Sequence, residues 1–404
     1  MVSVSSLLRA IASIPGRVLG SAESRGRNTE PERSDLVYLN RLPRRFMTDI
    51  PAQRSDGTWA QHTTMIPPPA GLYRLSRRVQ GTCWGRAVGA VLAIAWGLRL
   101  LRVRRRFPAA ITSGAGAGVV FGMLQAVVGL GRIPHVMMDC LWYRERGLAR
   151  RLLARIKFAS LARSVSCFVV WASGEVEDYA RELGVPRAKL IFVPYHHTLE
   201  GYAFTIEDGG YVFAGGDGDR DYATLVEAVR GLQVPVLIGT RLPSWHGRSD
   251  LPPNITVRSF DAAGFRQAMA GARVVVVPMQ GGLLHAGGQQ TYLNAMRMGK
   301  PVIVCDDRGA RDYIDDGVTG LIVPPGRPQE LRQAMLKLLG DGSLRAELGR
   351  RASFSIDQRR LSTEDSVRRV IGLARRLLQS PRRAGAGKVS MVSGDGPAGT
   401  IAGP

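Results

Sequence analysis

Twice along the chain, short apolar runs alternate with amphipathic helical patterns, and this alternation limits the possible folds more than any other feature. The first series runs "LVYL", "AAITSG" then "AGVVFGMLQAVVGL", "PHVMMD" then a basic helix from Arg144 to Arg163, "SCFVVWAS" then "EVEDYARELG", and "KLIFVP". The second runs "GYVFAGG", "DYATLVEAVRGL", "VPVLIGT", "NITVRSF", "FRQAMAGA", "RVVVVPM", a helix ending at Gly299, "KPVIVCD", "ARDYIDDG", "GLIVPP" and "PQELRQAMLKLLG". Parallel strands need crossover connections, so each series predicts a parallel sheet with helices on both faces. One core rarely serves a chain of 404 residues, so the expectation is an α/β protein of two doubly wound, Rossmann-like domains facing each other across a cleft. The expected boundaries are 31–200 and 201–380, joined by the polar span 195–210. The segments 1–30 and 381–404 show little apolar periodicity: the first is expected to be disordered or weakly amphipathic, the second disordered. Ligands of open sheets sit beyond the carboxyl ends of the strands, which places the site in the cleft.

The stretch "HAGGQQTYLNAMRMGKPVIV", beginning at His285, starts its helix without a capping side chain. Tyr292, Leu293, Ala295 and Met296 give the helix an apolar stripe, and Gly299 ends it. First-turn N–H groups lack intrahelical partners and carry the positive end of the helix dipole. Gly287 and Gly288 either let an anion reach those groups or only shape a tight loop between strand and helix.

The formal net charge is +22, carried by 55 basic residues of which only five are lysine. Between Arg74 and Arg163, 17 basic residues face two acids, Asp139 and Glu145, a local balance of +15. Such a field attracts nucleic acid, anionic lipid or a phosphorylated substrate, or is simply a solvated surface. Aromatic residues there, such as Trp84, Trp96 and Phe121, lie in apolar runs, so no nucleic-acid groove is expected. The uncharged run from Ala87 stops at Arg99 after 12 residues, short of the roughly 20 that a spanning helix needs. It is either a helix buried in the first domain or one lying in the plane of a bilayer. Cys83, Cys140, Cys167 and Cys305 are scattered without metal spacing, which fits a reducing compartment and no metal site.

The segment from "FAGGDGDRDYATLVEAVRGL" through "YLNAMRMGKPVIVCDDRGARDYIDDGVTGLIVPPGRPQELRQAMLKLLGDGSLRAELGRRA" resembles the nucleotide-sugar-binding half of GT-B glycosyltransferases, most like the large retaining group that builds lipopolysaccharides and glycolipids. The likeness covers about half the chain. In the first half it rests on "ITSGAGAG" and "PHVMMDCLW". The resemblance implies a glycine-rich loop at Gly215 and Gly216, and a donor-pyrophosphate grip at Arg220, whose planar fork suits phosphate oxygens. The alternative for Arg220 is an exposed charge paired with Asp217 or Asp219. Family members carry an acid just before the bare helix and a ribose-holding glutamate within it; those positions here are Ala286 and Asn294. The missing first acid leaves open whether the reaction retains or inverts. His285, Gly287, Gly288, Gln289, Gln290, Thr291 and Asn294 complete the expected donor site.

Asp139, at the carboxyl end of "PHVMM", is the candidate catalytic base, its alternative being an ion pair with a neighbour such as Arg144. His135 is expected to be packed in its strand, and His196 and His197 are further candidates at the cleft. The resemblance implies a metal-independent, hexosyltransferase-like enzyme without cofactor. It would take a nucleotide-sugar donor and a lipid-linked, cell-envelope or polysaccharide acceptor, and would lie in the cytoplasm on the inner face of the plasma membrane, held there by anionic lipid. A nucleotide-sugar epimerase of the same fold and a non-catalytic basic protein binding nucleic acid or lipid are the other readings.

Overall fold

The computed structural model describes residues 36–38, 63–66, 68–79 and 84–379; the leader 1–30, the tail 381–404 and Cys83 lie outside them. Among the described residues, twelve strands form two six-stranded, wholly parallel sheets. In the first, β1 (Leu36–Tyr38), β2 (Thr63–Met65), β3 (Ala109–Ser113), β4 (His135–Met138), β5 (Cys167–Val170) and β6 (Leu190–Phe192) take the order 2-1-3-4-5-6. The second contains β7 (Val212–Gly215), β8 (Val236–Gly239), β9 (Ile255–Arg258), β10 (Val274–Val277), β11 (Val302–Cys305) and β12 (Leu321–Val323) in the order 12-11-10-7-8-9. Its order reverses between β7 and β10, and doubly wound sheets bind ligands at such a switch point. The central strands are buried on both faces, as "VVVV" in β10 requires: its four valines are essentially inaccessible. Both expected series of strands are present, and β2 adds one that the apolar runs did not announce.

The first domain's helices are α1 (Ala70–Arg78), α2 (Gly85–Val103), α3 (Ala117–Val128), α4 (Leu148–Ser164) and α5 (Ser173–Leu183). Those of the second half are α6 (Tyr222–Val229), α7 (Ala262–Ala270), α8 (Gln289–Arg297), α9 (Ala310–Tyr313), α10 (Pro328–Gly340) and α11 (Gly342–Gln358), and the last helix is α12 (Thr363–Gln379). The ambiguous apolar run from Ala87 lies within α2. Val88, Leu92, Ala95 and Trp96 are buried there, and the Trp96 indole donates to the Ile66 carbonyl at 3.0 Å. This side of the helix is therefore covered by protein, while Ile94 and Leu98 on the other side are exposed. No helix among the described residues is long and apolar enough to cross a membrane.

The helix α12 crosses back. Val367, Val370, Ile371 and Ala374 pack with Ala109, Ile111, Val136 and Val169 of the first sheet, although the expected boundary at 380 places this helix in the second domain. The apolar side of α12 covers a sheet face that the first-domain helices leave open, which ties the two halves together at the end of the chain.

Candidate active site

The loop after β7 is built around a guanidinium. Gly216 has φ +122°, a conformation open to glycine alone, and a Cβ there would lie 2.6 Å from Arg220 Nη2. Arg220 thus folds back over its own loop. Its Nε donates to the Gly215 carbonyl at 3.0 Å, Nη1 to the Gly218 carbonyl at 2.8 Å and to Met279 Sδ at 2.9 Å, and Nη2 to Thr291 Oγ1 at 3.1 Å. Desolvation lowers its pKa, yet a guanidinium stays charged. Neither expected acid is its ion-pair partner in this arrangement. Asp217 accepts from the Arg241 backbone and side chain, while Asp219 accepts from Tyr143 Oη at 3.1 Å and pairs with His285 at 3.3 Å. Arg220 is a buried, fixed cation rather than an exposed loop charge.

Thr291 lies in the first turn of α8, so the guanidinium stands at that helix's positive end. Gly288 caps α8 in the left-handed conformation, with no side-chain hydrogen bond. Cβ atoms at Gly287 and Gly288 would approach Met279 Cε to 2.4 Å and Val277 Cγ1 to 2.7 Å. At Gly288, left-handed and set against the β-branched Val277, glycine is demanded, whereas at Gly287 the neighbour is only the flexible end of Met279. The start is less bare than the sequence suggests, because Asp307 Oδ2 accepts from the Gly287 N–H at 2.9 Å. The other oxygen of Asp307 accepts from the Gly309 and Ala310 N–H groups. Burial pushes this carboxyl up against those donors and Arg220. The first-turn N–H groups of Gln289 and Gln290 remain without intrahelical acceptors by helix geometry.

The remaining expected donor residues face the first domain or its linker. His285 is buried between the Trp142 carbonyl and Asp219, both at 3.3 Å, with Tyr143 edge-on to its ring. Gln289 Nε2 donates to the Trp171 carbonyl at 3.4 Å, and exposed Gln290 donates to Thr198 Oγ1 at 3.0 Å. Asn294 meets the linker: Oδ1 accepts from the Thr198 N–H at 2.8 Å and Nδ2 donates to Thr198 Oγ1 at 3.1 Å. Its buried amide thus holds the linker against α8.

Glu175 escaped sequence reasoning. Its 1% exposed carboxylate accepts from the Trp171 and Ala172 N–H groups at the start of α5 and, across the domain junction, from the Ala286 N–H at 2.8 Å. Burial outweighs these donors and raises its pKa to about 7. A glutamate three residues into a helix signals a capping role, but nothing local announces a partner 111 residues away. Tyr313 makes a parallel link, donating to the Trp171 carbonyl at 2.5 Å and accepting from the Tyr195 N–H at 2.8 Å.

Asp139 stands at the carboxyl end of β4 with φ +54° and accepts from the Trp171 indole at 3.2 Å. Arg144, its expected ion-pair alternative, instead pairs with Glu182 at 3.4 Å. Tyr195 packs edge-on to Trp171 and stacks on His196. Burial lowers the pKa of His196, with Asp139 and Glu200 opposing it. His197 opens elsewhere: it lines a cavity of about 490 Å³ beside the linker, together with Arg297 at the far end of α8. His135 is packed as expected, 2.7 Å from Thr112 Oγ1, and burial lowers its pKa to about 3.

Residues 216–341 match the family model of glycosyl transferases group 1. Alpha-D-kanosaminyltransferase of Streptomyces kanamyceticus is 31% identical over 108 residues, 26% of this chain and 27% of that protein; the chain thus matches about a quarter of that relative's length. Among solved structures, Anabaena HepE in complex with UDP-glucose superposes with a TM-score of 0.60 at 15% identity, over 84% of this chain and 99% of that one. Sucrose-phosphate synthase from Thermosynechococcus elongatus gives 0.59 at 18% identity, over 80% and 85%. The chain has the GT-B fold of these glycosyltransferase structures, and its residues 216–341 are similar to glycosyl transferases group 1.

Proposed function

We propose that the protein transfers a sugar from a nucleotide-sugar donor to a saccharide or lipid-linked acceptor at a membrane face. The observation that carries this reading is the buried Arg220 cation fixed at the start of α8. Two positive features, a guanidinium and a helix N-terminus, converge where a diphosphate would lie. The match of residues 216–341 and the UDP-glucose complex of HepE support the same donor class. Arg220 and α8 would stabilise the departing nucleoside diphosphate by fixed charge and dipole without a metal, so turnover is expected to survive chelator treatment.

The base in this reading is Asp139, at the end of β4 in the cleft. A carboxylate there takes the proton of the attacking acceptor hydroxyl, and the bond between the sugar and the diphosphate breaks. Asp139→Asn is the informative change, since asparagine tolerates the same left-handed backbone and keeps an acceptor for the Trp171 indole. Acceptor-dependent release of nucleoside diphosphate is expected to fall by roughly 100-fold to 10,000-fold, the usual worth of a positioned base, with nucleotide binding and melting temperature unchanged. Full turnover in this variant would refute the role of Asp139. Equal activity with and without acceptor in the wild type would favour an epimerase.

A further inference from the structure

The helix α4 has two apolar faces, and only one of them is covered. Ala154, Phe158 and Leu161 are buried against the first domain. Leu148, Leu152 and Ile156, at i, i+4 and i+8, form a second stripe, and they are 86%, 59% and 58% exposed. At about 100° per residue the two sets fall on opposite sides of the helix. Leu153, 66% exposed, widens the outer stripe. Arg151 and Arg155, both exposed, border it on one side, and the helix contains no acid. A soluble surface helix ordinarily turns charge, not leucine, away from its core.

We propose that this outer face of α4 docks the protein on an anionic bilayer, with the leucine stripe entering the headgroup boundary and the arginines meeting lipid phosphates. The charge pattern selects this occupant. Two copies of α4 facing each other would bring arginine against arginine with no acid to compensate. A nucleic acid would meet leucines where it needs cations. An anionic lipid surface satisfies both features of an in-plane amphipathic helix, apolar face and basic flank. This deepens the membrane-face part of the proposed function but does not depend on transfer chemistry. The placement also suits a lipid-linked acceptor. The loop 139–147 joins Asp139 directly to α4 and carries Tyr143, whose hydroxyl donates to Asp219 across the cleft.

The test is flotation of the full chain with vesicles of phosphatidylcholine, with and without phosphatidylglycerol. Two double variants at the exposed face are compared with wild type: Leu152→Ser with Ile156→Ser, and Arg151→Glu with Arg155→Glu. Wild type is expected to float with the anionic vesicles alone, and less at raised salt. Each variant is expected to lower that partition about tenfold or more, since apolar burial and charge act together, while melting temperature and nucleoside-diphosphate binding stay at wild-type values. Equal partition into neutral vesicles, or variants that float like wild type, would overturn the proposal. So would a wild-type dimer that the serine variant converts to monomer without any vesicle binding. Vesicle binding retained by a protein that binds no nucleotide would refute the transferase reading and leave the docking surface standing.

Discussion

Glu175 is the residue whose chemistry depends most on where the fold carries it. In an unfolded chain a glutamate titrates near 4.3, but burial in the native protein raises Glu175 to about 7. The native state therefore holds this proton more tightly than the unfolded one, and stability falls as pH rises from the unfolded value through about 7, then levels off. The size of the effect is on the order of 3 kcal/mol. The difference in unfolding free energy between wild type and Glu175→Gln, measured by denaturant between pH 4.5 and 8, is expected to drift against the wild type up to about pH 7. A difference independent of pH would mean that the carboxylate is ionised throughout. Arg220 came into view through the family resemblance, which carries the glycine-rich loop after a strand onto Gly215 and Gly216. Glu175 did not come into view, because its decisive contact is the backbone of Ala286 in the other half of the chain.

At the scale of elements, α2 and α4 show what apolar periodicity conveys and what it omits. It places both helices, but it cannot say which apolar face another element will cover. The run around Trp96 buries Val88, Leu92, Ala95 and Trp96 but leaves Ile94 and Leu98 outside, and the arginine-rich α4 leaves a longer leucine stripe outside. The position of α8 depends on an equally unannounced contact at its far end. Beyond its last turn Gly299, at φ +68°, lies against α11 so closely that a Cβ on Gly349 would be 2.0 Å from the Gly299 carbonyl oxygen. Backbone cannot yield as a flexible side chain would. Gly349→Ala is expected to cost roughly 1 to 3 kcal/mol, as overpacking typically does, and to weaken nucleotide binding by displacing α8. Chemical denaturation measures the first effect and calorimetry the second. A variant of wild-type stability would show that α8 and α11 separate freely.

Across the whole molecule, the alternation of strands and helices made both sheets readable, because each strand must be buried on two faces and each helix on one. The relation between the halves was not readable. It rests on single hydrogen bonds between distant residues, such as those of Glu175, His285 and Tyr313, and on the return of α12 to the first sheet. These contacts bring the start of α8, Arg220 and Asp139 to one junction, which the proposed function takes as the meeting place of a diphosphate and an acceptor hydroxyl. The most direct test is calorimetric titration of the wild type and Arg220→Ala with UDP and GDP, with melting temperature as a check on folding. The wild type is expected to bind at least one of them and to melt higher in its presence, by about 2.7 kcal/mol of stabilisation at a hundredfold excess over Kd. Arg220→Ala is expected to lose roughly 2 to 4 kcal/mol of that affinity, as removal of one charged partner typically does. No binding of any nucleoside diphosphate at millimolar concentration, or a folded Arg220→Ala that binds as tightly as wild type, would contradict the assignment of this junction as a donor site.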